Sequence, residues 1–162
     1  MHLLRRPRRL RASAALRSLV RETALHREDF ILPLFVSEKI DSRVPVASMP
    51  GVFQLSEKEL ISEAKAAHEA GVASVLLFGI PREKDERASQ AFAENGVVQR
   101  AVRALKRDVP GLVVITDVCL CEFMSHGHCG IAHFHGDRVE VENDASVELL
   151  VRAAVSHAAA GA

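Results

Sequence analysis

Three short apolar runs, Phe30–Val36, Ser74–Phe78 and Leu112–Thr116, constrain the fold more than any other feature, because each is nearly continuous rather than alternating. A run of that kind is expected of a strand covered on both faces, as in a parallel sheet flanked by helices. The segments between the runs have helical spacing. Ser56-Glu57-Lys58-Glu59 matches a capping box, and Leu60, Ala64 and Ala67 continue one face as far as Gly71. A second helix is expected from about Asn95 to Lys106, stopped by Pro110-Gly111. A third, capped by Asp144, carries Val147, Leu150, Val151, Ala154, Val155 and Ala158 before Gly161 stops it. Strand then helix, three times over, is an α/β pattern with right-handed crossovers. A further strand is expected after Ala162, since three parallel strands cannot close a barrel and an open edge invites association.

Charge is distributed unevenly along the chain. The formal net charge is zero, yet residues 1–27 hold eight Arg against one acid, about +7, which leaves about −7 on the remainder. Within that stretch Ala15, Leu16, Leu19 and Val20 fall on one face of a short amphipathic helix over Ser13–Thr23, preceded by an Arg-rich, Pro-containing segment that would not fold alone. Residues 1–27 are therefore expected to be an arm lying on a surface, and that surface can belong to another subunit. No aromatic or groove-reading motif accompanies the arginines, so pairing with acidic surface is favoured over nucleic acid. No apolar run approaches the roughly 18 residues of a membrane span. The basic start lacks the apolar core and cleavage site of a secretory signal, which points to a cytoplasmic protein.

Three cysteines, Cys119, Cys121 and Cys129, crowd into the loop after the third strand run. An odd, clustered set is a poor disulfide framework and points to metal or thiol chemistry in a reducing compartment. Three thiolates from one loop can converge on a tetrahedral Zn²⁺, and three protein ligands with one open position is the catalytic arrangement. A fourth ligand from His126, His128, His133 or His135 would instead close a structural site, and three unrelated buried thiols are the bland alternative. Each histidine is read first as a loop hydrogen bonder or an orienting group, with His128, beside Cys129, the best secondary metal candidate. Asp117, where the third run opens into this loop, is a candidate to accept a proton or hold a substrate amine, against a simple capping role. Glu122 is read as a surface charge. In parallel sheets chemistry gathers beyond the carboxyl ends of the strands, where Asp117 and the cysteines fall.

The string Asp117-Val118-Cys119-Leu120-Cys121-Glu122-Phe123-Met124-Ser125-His126-Gly127-His128-Cys129-Gly130 resembles the zinc loop of the porphobilinogen synthase (5-aminolevulinate dehydratase) family. The likeness extends through RRLRAS near the amino terminus, DFILPLFVSE, PVASMPGVFQLS, VLLFGIP and KDERAS, covering essentially the whole chain. It implies a (β/α)8 TIM barrel, of which residues 28–162 would be the first half with three βα units. It also implies an arm at residues 1–27 that embraces a neighbour in a homo-octamer. The implied activity is that of a hydro-lyase of tetrapyrrole and haem biosynthesis. Two molecules of 5-aminolevulinate, held on lysines as Schiff bases, condense to porphobilinogen with loss of two waters. By motif, Cys119, Cys121 and Cys129 would be the zinc ligands, Asp117 an active-site carboxylate, and zinc a Lewis acid. Magnesium is a further candidate cofactor.

Two departures from the family pattern stand out. Met124 replaces a small hydroxylated residue, and the Schiff-base lysines belong to the second half of the family's barrel. Lys39, Lys58, Lys65, Lys84 and Lys106 fall in loops or on helices, none in an apolar pocket at a strand's carboxyl end. The chain alone is therefore expected to be inactive as a dehydratase. A rival from another class is a non-enzymatic zinc- or thiol-binding module whose open sheet edge a partner covers.

Overall fold

The computed structural model describes residues 7–162, so the expected beginning of the arm, Met1–Arg6, lies outside the described residues. The rest of the arm has little of its own to fold around. Helix α1 spans only Ala14–Leu19, shorter than the Ser13–Thr23 expected, and starts where Ser13 Oγ accepts from the Leu16 amide at 3.2 Å. It buries no residue, and Leu19 is 81% exposed. Arg27 makes the first tie to the body of the fold, its guanidinium donating to the Ala70 carbonyl at 3.1 Å.

The body is a five-stranded sheet of β1 (Ile31–Ser37), β2 (Arg43–Pro45), β3 (Phe53–Leu55), β4 (Ser74–Ile80) and β5 (Val113–Thr116), ordered β2-β3-β1-β4-β5. The three expected strands are β1, β4 and β5, adjacent and parallel, with Leu34 opposite Leu77 and Val75 opposite Val114. Pro33 is accommodated in β1 because β3 reaches only Phe35 and Val36, leaving one side of the strand unpaired at the proline. The short β2 and β3 were not foreseen. At three residues each they offer no periodicity, and β2 pairs antiparallel to β3.

Helices α2 (Glu57–Glu69) and α3 (Val97–Asp108) cross over one face of the sheet, and α4 (Asn143–Ala160) packs beside α3. Leu34, Val36, Val75, Leu77 and Val114 point at the helices and are at most 5% exposed. Fully burying a side chain of this size contributes about 1.5–3 kcal/mol, so this layer is the core. Expected coverage of both faces is not what the structure has: Phe35, Leu76, Phe78 and Ile115 alternate onto the opposite face and are only partly buried. That face remains apolar, with Phe35 stacked on Phe78 at 5.1 Å between ring centroids.

The helix ends also correct the sequence reading. Ser56 caps α2 by accepting from the Glu59 amide at 3.4 Å, but Glu59 does not complete the box. Its carboxylate takes Arg43 Nε at 2.8 Å, while the Ser56 amide donates to the Ser42 carbonyl. Asp144 is not the cap of α4; the cap position is Glu142, with Asp144 in the first turn. The expected packing face of α4 is turned outward as well, Val147, Val151 and Val155 being 46%, 55% and 63% exposed. Ser146, Leu149, Ala153, His157 and Ala160 are buried instead. Finally, between the cysteine loop and α4 the chain forms a hairpin of β6 (Ile131–His135) and β7 (Arg138–Glu142), turned at Gly136 with φ +60°.

Candidate metal centre

Beyond the carboxyl end of β5 the chain continues the sheet by one residue, the Asp117 amide donating to the Leu77 carbonyl at 3.0 Å. By the alternation of β5, Asp117 shares the open face with Val113 and Ile115. The chain then closes one turn, with the Phe123 and Met124 amides both donating to the Leu120 carbonyl at 2.9 Å. Leu120, Phe123 and Met124 are 0%, 3% and 0% exposed, so this turn is pinned by its own apolar residues. Gly127, at φ +76°, then reverses the chain toward Cys129. Gly130 sits so close to Ser146 Oγ and Val141 that a Cβ there would collide with both.

The sulfurs of Cys119, Cys121 and Cys129 lie within 4.8 Å of one another, with Cys119 Sγ and Cys121 Sγ 3.4 Å apart. Tetrahedral zinc–sulfur bonds of about 2.3 Å put sulfurs roughly 3.8 Å apart, so the three donors suit such an ion without rearrangement of the loop. Cys119 and Cys121 are half-buried and Cys129 exposed, leaving the cluster open on one side. Burial and then the neighbouring Cys119 push the Cys121 thiol up to about 12, and Cys119 also raises Cys129. Packed beside Cys119, the Cys121 and Cys129 thiols are thus both shifted toward their protonated forms.

No histidine joins this cluster among the described residues. His126 Nδ1 accepts from the His128 amide at 3.1 Å, and both rings lean on Phe134 at 5.7 and 5.8 Å. His133 Nε2 pairs with Glu142 at 3.2 Å on the exposed hairpin. Glu122, read from sequence as a surface charge, is the residue that reading missed. Burial, then the charge of Asp117, raise its carboxyl to about 7, opposed by Lys84 and the Gly79 amide. Nothing in the spacing of its neighbours marks it as buried.

Behind the site, His157 on α4 is 2% exposed and places Nδ1 3.1 Å from Thr116 Oγ1, the residue before Asp117. Burial, opposed by the Ala91 carbonyl and Asp117, keeps its pKa below the usual imidazole value. Beside it the 1%-exposed Gln99 donates to the Ala91 carbonyl at 2.9 Å and to Ser156 Oγ at 2.8 Å. The lysines are all exposed on the surface, as expected from the sequence.

The sequence profile of the delta-aminolevulinic acid dehydratase family matches residues 4–162 of the chain. Delta-aminolevulinic acid dehydratase of Escherichia coli is 48% identical over 160 residues, covering 99% of this chain and 48% of that protein. The Halalkalibacterium halodurans enzyme of the same name is 48% identical over 158 residues, 98% of this chain and 47% of its own. Among solved structures, the Toxoplasma gondii porphobilinogen synthase in complex with its reaction product porphobilinogen superposes with a TM-score of 0.91. It is 33% identical, and the match covers 99% of this chain and 45% of that one. The chain thus spans about half the length of the curated relatives it matches.

Proposed function

The chain belongs to the delta-aminolevulinic acid dehydratase family, the lyases also called porphobilinogen synthases, and from that premise we propose that it forms the metal-thiolate side of such an enzyme's active site. The reaction would be the condensation of two molecules of 5-aminolevulinate to porphobilinogen, with loss of two waters. The observation that carries this reading is the convergence of three sulfurs within 4.8 Å immediately beyond the strand that ends at Asp117. Cys119, Cys121 and Cys129 would hold zinc, which when bound supplies Lewis-acid polarisation of a substrate carbonyl. Asp117, on the open face, would hold the substrate's ammonium group or take a proton from it at a carboxylate oxygen. Leu120, Phe123 and Met124 keep the loop seated in the core.

Residues 28–162 are proposed as the first half of a (β/α)8 barrel. The apolar face of Phe35, Leu76, Phe78 and Ile115 supports this, being what the inner wall of a barrel requires. The described part of the arm, residues 7–27, is exposed and arginine-rich, which supports a seat for residues 1–27 on a neighbouring subunit in a homo-octamer. Among the described residues no helix is long and apolar enough to cross a membrane, and a cytoplasmic enzyme is proposed.

A chimera tests the proposal. Grafted in place of the matching 48% of the Escherichia coli relative, this chain is expected to give an enzyme that forms porphobilinogen from 5-aminolevulinate. Cys119→Ala, Cys121→Ala or Cys129→Ala should each abolish product. A folded, zinc-loaded chimera that forms none would overturn the proposal. If it binds metal in a closed four-ligand sphere, the non-enzymatic module takes its place.

A further inference from the structure

The segment Pro81–Ser89, which follows β4, is tied to the metal loop through its backbone. The Asp85 amide donates to the Phe123 carbonyl at 3.2 Å, and the Ser125 amide donates to the Asp85 carbonyl at 2.9 Å, an isolated parallel bridge across Met124. Phe123 to Ser125 lie between Cys121 and Cys129. The Asp85 side chain meanwhile folds its own turn. Oδ1 accepts from the amides of Arg87 at 2.8 Å and Ser89 at 3.1 Å, and Oδ2 takes the Ser89 hydroxyl. Inside the turn, Ala88 is 0% exposed and held at φ +48°, a left-handed conformation unfavourable to a residue with a Cβ. A turn with that cost needs something to hold it, and the donors converging on one carboxylate do so.

We propose that Asp85 is a positioning residue of the metal centre: its side-chain hydrogen bonds stiffen the 85–89 turn, whose backbone fixes Phe123–Ser125 and so the approach of Cys129 to Cys121. The inference rests on the reading of the three cysteines as metal ligands. Its chemistry is preorganisation. Part of the entropy of closing the cysteine loop is lost on folding rather than on metal binding, which raises affinity without a further ligand.

The test is titration of the chain with zinc alone against a chromophoric chelator, with cobalt as a spectroscopic probe of sulfur ligation. Asp85→Ala should weaken zinc by about tenfold or more, as removal of groups that orient ligands generally does, and should shift the cobalt ligand-field bands. Asp85→Asn keeps an acceptor for the Arg87 and Ser89 amides and should recover most of the loss. Ser89→Ala, which removes one donor, should weaken zinc by a smaller factor. An unchanged affinity in folded Asp85→Ala overturns the proposal, as does Asp85→Asn binding as weakly as Asp85→Ala. If Asp85→Ala does not fold, an unchanged Ser89→Ala overturns it. A wild-type chain whose zinc binding is indifferent to Cys121→Ser would instead remove the cysteine reading on which it rests.

Discussion

His157 is the residue most at odds with its helix, an imidazole 2% exposed on an element otherwise rich in alanine and valine. Burial keeps its folded-state pKa below the roughly 6.5 of a free imidazole. Above about pH 6.5 the group is neutral in both folded and unfolded chains and adds no pH dependence. As pH falls below that value the unfolded chain takes up a proton that the folded chain resists, so stability declines until the folded-state pKa is passed. Urea midpoints at pH 7.5 and pH 5 should therefore differ, and His157→Gln should shrink the difference; an undiminished difference would contradict this. The cysteines give a second prediction. Single Cys119→Ser, Cys121→Ser and Cys129→Ser changes should each weaken zinc at least about tenfold. His133→Ala and His135→Ala, on the exposed hairpin, should leave it nearly unchanged in the same chelator competition. The convergence of the cysteines was legible because spacing within one loop carries it. Glu122 and His157 were not, because burial on folding, which spacing does not record, gives each its character.

At the scale of elements, β4 and α3 approach so closely at Gly79 that a Cβ would lie 2.5 Å from Val98 Cγ2 and 2.9 Å from Val97 Cγ1. Gly79→Ala should destabilise by about 1–3 kcal/mol through overpacking, read as a lowered denaturant midpoint. A midpoint equal to wild type would show that α3 moves away freely. The long elements were legible for the reason that periodicity is physical: α2, α3, β1, β4 and β5 fall within a few residues of their apolar runs. Helix α4 was found with the wrong face inward, since its apolar stripe gives no weight to polar anchors. Ser146 Oγ accepts from the Ile131 amide at 2.9 Å and donates to the Glu142 carbonyl, and His157 meets Thr116. These bonds orient α4, and Val147, Val151 and Val155 face out. The hairpin of β6 and β7 was hidden because β7 is exposed at every position, leaving no buried alternation to read.

For the whole molecule, the sheet has one helix-covered face and one open apolar face, and the proposed chemistry stands at the carboxyl edge of the open one. Parallel α/β class was legible from three continuous runs. Coverage of both faces was not, because a continuous apolar run is equally consistent with a helix layer and with a barrel wall. Exposure of every lysine gives a prediction at this scale: with 5-aminolevulinate and borohydride, this chain should carry no trapped adduct by mass spectrometry. A stoichiometric adduct on Lys39 or Lys84, the lysines that follow β1 and β4, would contradict it. The central claim is that Cys119, Cys121 and Cys129 together hold one metal ion with a position left open for chemistry. X-ray absorption at the zinc edge of the loaded protein tests it most directly. The account predicts three sulfurs at about 2.3 Å and one exchangeable oxygen or nitrogen neighbour; fewer than three sulfurs, or an imidazole closing the sphere, would contradict it.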